Sequence, residues 1–249
     1  MTAPEAAAIF AAGAAAGTVN TIVGSGTLLT FPVLLAFGYS PVTANVSNTV
    51  GLVPGSISGA HGYRTELGGQ GRRAVRLGIA SAAGGITGAL LLLALPASAF
   101  KSIVPGFIAA ALVLVLVQPW LAHRLAARHG HPLAVRGALP VGLYAVGVYG
   151  GYFGAAQGIL ILALLGLASS EGFQRVNGLK NVLAGLTNLV AGVVFVIAAH
   201  VSWPVVGLIA GGSVLGGQLG ARIGRRLPPA GLRIVIVGVG IAAILKLVV

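Results

Sequence analysis

Two short polar clusters interrupt an otherwise apolar sequence, and both contain side chains that could bind an anion. The first cluster contains Asn45 and Asn48, and the second contains Asn177, Lys180 and Asn181. A spacing of three residues places side chains on one face of a helix. Amide N–H groups can donate hydrogen bonds to a small oxyanion, and the Lys180 ammonium would supply the opposite charge. The two clusters therefore predict part of an anion-binding site.

The position of these clusters inside apolar segments strengthens that prediction. Amides and lysines are costly in hydrocarbon, so they normally face a transport pathway or one another. Two alternatives stay open at this point. Lys180 could extend its side chain to the inner headgroups, and the asparagines could form interhelical hydrogen bonds.

Glycine-containing breaks precede both clusters, at 24–26 and at 156–158, where a long apolar segment gives way to a short one. Broken helices at membrane depth leave backbone groups that lipid cannot satisfy, so they must face protein or a water-filled cavity. In inverted-repeat transporters, the N-terminal ends of such half-helices face an anionic substrate. We expect Ser25 and Gln157 to act as side-chain donors; a tight turn with helix caps is the alternative. The complete predicted substrate-binding site comprises Gly24, Ser25, Gly26, Asn45, Asn48, Gln157, Gly158, Asn177, Lys180 and Asn181.

The elements that position these residues are membrane helices. Hydrophobic residues make up 57% of the 249 residues and charged residues 7%, whereas soluble domains have about 25% charged residues. Several apolar runs reach the ~20 residues that a helix needs to cross the hydrocarbon. Continuous runs are unlike the alternating segments of a transmembrane barrel. We predict an all-α polytopic protein of a prokaryotic cytoplasmic membrane, surrounded by membrane lipid.

The scarcity of acidic residues narrows the chemistry. The three acids are Glu5, Glu66 and Glu171, near the ends of segments or in loops, and cysteine is absent. A cation carrier or a carboxylate proton relay would need an acid inside the membrane. The sequence lacks paired catalytic carboxylates, metal-ligand clusters and phosphate-binding loops, so no enzyme activity, cofactor or metal is expected. The net charge of +12 indicates basic cytoplasmic loops, and we do not expect nucleic acid as a partner.

An internal duplication organises the chain. Apolar segments lie at 6–23, 27–37, 42–62, 74–94, 102–120, 137–155, 158–168, 174–199, 205–221 and 232–249. Sliding the chain by 132 residues aligns them without gaps, so that Asn45 meets Asn177. The shared breaks favour duplication over chance similarity in a sequence of low complexity. We predict a first repeat at 1–117, a basic cytoplasmic linker at 118–136 and a second repeat at 137–249.

The basic loops indicate that the repeats are inserted in opposite orientations. The loop at 64–76 has four arginines and its counterpart near 200 has none, whereas the loop at 95–101 has one basic residue and its counterpart at 222–233 has four. Because Lys and Arg accumulate on the cytoplasmic side, 64–76 and 222–233 are expected inside. Each inverted repeat needs an odd number of crossings. We therefore expect a bent helical hairpin plus three transmembrane helices per repeat. If the two segments of the hairpin instead made two thin full crossings, the number of crossings per repeat would still be odd, so this alternative stays open.

The order of these motifs resembles the sulfite and sulfonate exporters of the TauE/SafE type. The resemblance rests on the Gly-Ser-Gly turn and following proline within 24–32, on the Ala-Asn-Val-Ser-Asn-Thr segment at 44–49, and on the second copy ending at 177–181. It covers nearly the whole chain. It implies transport of sulfur-containing inorganic or organic anions, often as export.

We therefore predict a secondary transporter that moves a small anion, sulfite or an organosulfonate, by alternating access and in the direction of export. An anion channel of the same architecture is one alternative, and a non-transporting accessory membrane protein is another. Assembly into a homo-oligomer is left open by the sequence.

Overall fold

The chain folds into a bundle of helices, as the computed structural model shows for residues 1–126, 133–169, 171–224, 237–238 and 241. Within these ranges every regular element is a helix, and no strand occurs. The helices are α1 (Ala3–Ile22), α2 (Thr27–Ala36), α3 (Pro41–Gly62), α4 (Gly71–Ala94), α5 (Ala97–Ala126), α6 (Leu133–Tyr152), α7 (Gln157–Ala168), α8 (Phe173–Ala198) and α9 (Trp203–Ile223). Four of these described helices are long and apolar enough to cross a membrane: α4, α8, α9 and α5 over Ala97–Gln118. The prediction of an all-α polytopic membrane protein is confirmed.

Some predicted features lie outside the described residues. The last predicted segment, 232–249, falls there except for positions 237, 238 and 241. Residues 127–132 of the predicted linker and three of the four arginines in the predicted loop at 222–233 fall there as well.

Both predicted helix breaks are present, and each contains a glycine in the left-handed region. Gly24 has φ 88° and Gly154 has φ 77°. Their N–H groups donate to carbonyl oxygens five residues back, at Val19 and Tyr149, each over 3.1 Å. This is a common way to end a helix, because glycine has no Cβ that would clash in this conformation. The breaks therefore separate a long helix from a short one in both halves.

The second break differs from its predicted position. It lies at 153–156, and Gln157 and Gly158 belong to the first turn of α7. Ala156 adopts φ 59°, a conformation that costs an L-residue about 1–2 kcal/mol. The predicted turn at 156–158 is thus two residues too late, because its glycine is used for close packing and not for the turn.

The α1–α2 pair is a hairpin that begins and ends at one end of the bundle. Both α1 and α3 run in the same direction as α9, as successive contacts along α9 show. These contacts join Phe10 to Gly212, Ala14 to Gly216 and Thr18 to Gly220 on α1, and Gly51 to Ile209, Gly55 to Ser213 and Gly59 to Gly217 on α3. The 10 residues of α2 rise about 15 Å, half the thickness of the hydrocarbon. The chain therefore enters along α1 and returns along α2 before α3 begins.

The packing of α6 on α4 repeats that of α1 on α9. Gly84 and Gly88 of α4 lie against the carbonyl oxygens of Tyr144 and Val148, as Gly216 and Gly220 of α9 lie against those of Ala14 and Thr18. Small residues permit this close approach of two helix backbones. The α4 and α9 positions are 132 residues apart, but those of α1 and α6 are 130 apart. The predicted gapless offset of 132 residues is therefore wrong for α1 and α6. The two-residue difference arises because α7 has 12 residues, whereas its counterpart α2 has 10.

The two middle helices, α3 and α8, cross the bundle side by side in opposite directions. Gly178, near the start of α8, lies against Tyr63, just after the end of α3. Gly192, near the end of α8, lies against Val50, in the first half of α3. The polar clusters of the two helices consequently approach the breaks from opposite ends.

Candidate functional site

The two helix breaks meet at Gly24 and Gly158, in the interior of the bundle. The N–H of Gly158 donates a hydrogen bond of 3.0 Å to the carbonyl oxygen of Gly24. A Cβ atom on either residue would overlap the backbone of the other. This crossing brings the first turns of α2 and α7 close together. The positive ends of the two helix dipoles lie there, while most of the first-turn N–H groups already bond to carbonyl oxygens of the breaks, as Leu28 does to Ser25 and Ile159 to Ala156.

Three side chains of α8 bind the C-terminal end of α1. The Lys180 Nζ donates to the carbonyl oxygens of Asn20 and Thr21, over 2.8 and 3.1 Å, and the Nδ2 atoms of Asn177 and Asn181 donate to Thr21 over 3.2 and 3.3 Å. Carbonyl groups in a last helical turn lack intrahelical donors and carry the negative end of the dipole. The α8 cluster therefore caps α1 at the point where it breaks.

Lys180 lies inside the protein and not at the membrane surface. Its exposed fraction is 0%, and its Cδ lies next to the position that a Gly158 Cβ would take. The alternative in which this side chain extends to the inner headgroups is therefore wrong. Among the described residues, the ion pairs formed are those of Glu171 with Arg73 and Arg175, so the Lys180 ammonium has no carboxylate partner there.

The polar cluster of α3, Asn45 and Asn48, also binds neighbouring helices. The Nδ2 of Asn45 donates to the carbonyl oxygen of Tyr152 over 2.9 Å, at the C-terminal end of α6. Asn48 instead binds α2, because its Oδ1 accepts from the Thr30 hydroxyl and its Nδ2 donates to the Thr27 Oγ1 over 3.3 Å. Both amide atoms of Asn48 are thus used within the protein. The interhelical hydrogen bonds considered as an alternative are present at both clusters.

Four buried polar atoms on residues that border the crossing have no hydrogen-bond partner in the part of the chain that the structure describes. They are Ser25 Oγ, Asn45 Oδ1, Gln157 Nε2 and Asn177 Oδ1. Each of these side chains is at most 3% exposed. An unpaired buried polar atom costs about 1–3 kcal/mol, and native proteins contain few of them. Four in one region indicate a place built to receive a polar ligand or water.

The chemistry of this region favours a negative ligand. The hydroxyl of Ser25 and the amide of Gln157 offer donors, the positive dipole ends of α2 and α7 favour an anion, and Lys180 adds a positive charge. Groups of three or more His, Asp or Glu side chains that could bind a metal ion are absent from the described part of the chain. Uncompensated positive charge and free donors are the features that bind an oxyanion.

The predicted site residues divide into three groups. Those brought to the crossing or to the caps beside it are Gly24, Ser25, Asn45, Gln157, Gly158, Asn177, Lys180 and Asn181. Gly26 faces α1 and not the crossing, because the position that its Cβ would take lies against the carbonyl oxygen of Ala16 and the side chain of Asn20. Asn48 holds α2 in place. Their assignment to substrate binding remains a prediction.

Sequence reasoning missed the acceptors of the two caps. These are the backbone carbonyl oxygens of Asn20, Thr21 and Tyr152, which no residue type identifies. One signal could have found them: a long helix that ends at a glycine break always leaves carbonyl groups without intrahelical donors. Buried donors on a neighbouring helix are then the expected partners.

Comparison with known proteins identifies the family. The family described as sulfite exporter TauE/SafE matches residues 9–247. Probable membrane transporter protein YfcA of Escherichia coli K12 is 28% identical over 218 residues, which cover 84% of this chain and 76% of the relative. Probable membrane transporter protein ORF9 of a Sinorhizobium species is 28% identical over 217 residues, covering 86% and 81%. A Haemophilus influenzae protein named Probable membrane transporter protein is 27% identical over 224 residues, covering 87% and 84%. No solved structure matches the chain. Because the match extends over nearly its whole length, the chain belongs to the sulfite exporter TauE/SafE family.

Proposed function

We propose that this multi-pass membrane protein is a secondary transporter that carries a small anion, sulfite or an organosulfonate, out of the cell. The observation that carries the proposal is the fully buried Lys180 beside the crossing of two helix breaks. Removing an ammonium from water costs several kcal/mol unless charge and hydrogen bonds compensate it. Its partners are the neutral carbonyl groups of Asn20 and Thr21. An incoming anion supplies the missing charge.

The donors around the crossing fit the oxygens of such an anion. The Ser25 hydroxyl and the Gln157 Nε2 are buried and have no partner among the described residues, and the positive dipole ends of α2 and α7 add a favourable field. The Oδ1 atoms of Asn45 and Asn177 are acceptors, which suit a hydroxyl of the anion or an accompanying water. Sulfite and sulfonates present three oxygens on one sulfur, so one anion can engage donors from both hairpins.

Alternating access between two inverted repeats, 1–117 and 137–249, is the proposed way of moving this anion. The opposite directions of α3 and α8 and the repeated packing of α1 on α9 and α6 on α4 support this division. The site residues are closed to water in this conformation, since Lys180 and the four residues with unpaired atoms are at most 3% exposed. An open channel would need a continuous polar path past them. A closed site between two halves favours a carrier.

The test is transport of labelled sulfite and of methanesulfonate in proteoliposomes, measured as uptake and as counterflow. We compare wild type with Lys180→Gln, which retains a donor for the α1 carbonyls but loses the charge. Lys101→Ala is the matched control, because Lys101 is exposed at the start of α5. We expect saturable flux and counterflow in wild type and in the control. In Lys180→Gln the flux should fall at least ~10-fold, the equivalent of one lost charge-assisted contact.

Each other outcome contradicts a defined part of the proposal. If wild type moves neither anion, the substrate class is wrong. If flux does not saturate and counterflow is absent, the protein is a channel. If Lys180→Gln transports like wild type, the anion does not bind at the crossing. Size-exclusion profiles of all three proteins separate a loss of transport from a loss of folding.

A further inference from the structure

A second cavity, away from the crossing, has an excess of positive charge. It has a volume of about 550 Å³ and lies at the start of α4, against the connection between α7 and α8. Three arginines line it, Arg72, Arg73 and Arg76, together with Ser169 and Glu171. A volume of this size is typical of small-molecule sites.

One carboxylate forms ion pairs with two arginines in this region. Glu171 pairs with Arg73 at 2.5 Å and with Arg175 at 3.5 Å. Arg72 and Arg76 form no hydrogen bond or ion pair with the described part of the protein. They are four residues apart on α4, so their side chains lie on one face. Both side chains are exposed at the cavity, and neither has a carboxylate partner in the described part of the chain.

The helix itself adds to the positive field. Arg72 and Arg76 lie in the first two turns of α4, which has no acidic residue in its first turn and no side-chain cap from Gln70. Helix N-termini carry a partial positive charge and normally attract acidic groups. Because Arg72 and Arg76 are exposed, an external anion can reach both of them together with the helix end. A single guanidinium group can bind phosphate or a related oxyanion through two parallel hydrogen bonds, and two neighbouring groups can share one anion.

We propose that this cavity is a second anion site, in which Arg72 and Arg76 bind an oxyanion group of the phosphate or sulfonate type. The group belongs either to an anionic lipid headgroup or to a free oxyanion on the side that the basic loops predict to be cytoplasmic. The exposed Val75 and Ile79, each 66% exposed, continue from the cavity along the outer face of α4. The cavity thus opens where hydrocarbon meets water, the depth at which headgroups lie.

Binding to the purified full-length protein in detergent tests this proposal. The titrants are dihexanoyl phosphatidylglycerol and inorganic sulfate, measured by isothermal titration calorimetry. The variant is Arg72→Gln with Arg76→Gln, which leaves the Arg73–Glu171 pair intact. The control is Arg64→Gln with Arg222→Gln, because these arginines are exposed outside the cavity and their replacement changes the net charge equally. We expect about 10-fold weaker binding in the cavity variant, since two charge-assisted contacts are lost, and unchanged binding in the control.

The two titrants distinguish the sources of the group. Binding of the phosphatidylglycerol alone identifies a lipid site, and binding of sulfate identifies a site for free oxyanions. The proposal is overturned if neither titrant binds, or if the control pair loses as much affinity as the cavity variant. It is also overturned if sulfate binding disappears in Lys180→Gln and persists in the cavity variant, because the anion then binds at the crossing. These readouts do not depend on transport, so they stand or fall separately from the proposed function.

Discussion

The backbone N–H of Gly158 donates a 3.0 Å hydrogen bond to the carbonyl oxygen of Gly24, and this bond joins the breaks of the two hairpins. It involves no side chain, and the two backbones approach so closely that neither residue has room for a Cβ atom. The unpaired Ser25 and Gln157 atoms belong to the residues next to it in sequence. The crossing is thus both a packing contact and the centre of the proposed anion site.

Replacing Gly24 by alanine should destabilise the protein strongly. The new methyl group meets the backbone of Gly158 in a residue with φ 88°. Overpacking costs about 1–3 kcal/mol, and the left-handed conformation costs alanine about 1–2 kcal/mol more. Gly38→Ala is the matched control, because Gly38 has φ 84° and open space around it. Thermal unfolding in detergent should show a larger loss for Gly24→Ala; equal losses would mean that the close contact with Gly158 adds nothing.

Replacing a glycine of the α1–α9 contact by leucine should prevent normal folding. A Cβ on Gly216 would overlap the carbonyl oxygen of Ala14, whereas one on Gly207, in the same helix, meets no atom within 4 Å. Leucine is the better helix former by about 0.8–1 kcal/mol. We therefore expect Gly207→Leu to be neutral or stabilising and Gly216→Leu to lose more than about 3 kcal/mol, the upper cost of overpacking. Yield and thermal unfolding of the two variants provide the measurement. Similar behaviour of both would contradict the close packing of α1 on α9.

Removing the Ser25 hydroxyl should separate stability from transport. The Oγ is buried and has no partner among the described residues, so Ser25→Ala relieves a desolvation cost of about 1–3 kcal/mol and should leave the protein as stable as wild type or more stable. Sulfite flux should fall, because a donor of the proposed site is lost. Asn48→Ala is the contrasting variant. Both of its amide atoms are paired, so its loss should lower the free energy of unfolding. Unchanged flux in Ser25→Ala would exclude this hydroxyl from the site.

Single cysteines should report opposite orientations of the two repeats. The chain has no native cysteine, and Thr65 and His200 are exposed in corresponding connections of the two halves. A membrane-impermeant maleimide should label His200→Cys in intact cells. Thr65→Cys should react after permeabilisation, because its loop carries the arginines expected inside. Labelling of both positions from the same side would contradict the inverted arrangement.

The amino-acid sequence alone was sufficient for the fold class and for most of the residues around the crossing. Composition indicated membrane helices, because a chain with 7% charged residues has too few of them to form a surface that faces water on all sides. Both breaks were recognisable from glycines between apolar segments. The polar residues on α3 and α8 were recognisable because amides and a lysine are costly in hydrocarbon. These are local properties, and each depends on the residue type at one position.

The partners of those residues required the tertiary structure. Asn45 and Asn48 are three residues apart, yet one binds the Tyr152 carbonyl and the other binds threonines of α2. Gly158 was expected in a turn, but it is a helical residue whose missing side chain admits Gly24. Backbone carbonyl groups are the same in every residue, and a shift of two residues between the halves leaves the apolar pattern unchanged. Which carbonyl meets which side chain therefore depends on how whole helices pack, and no local pattern contains that information.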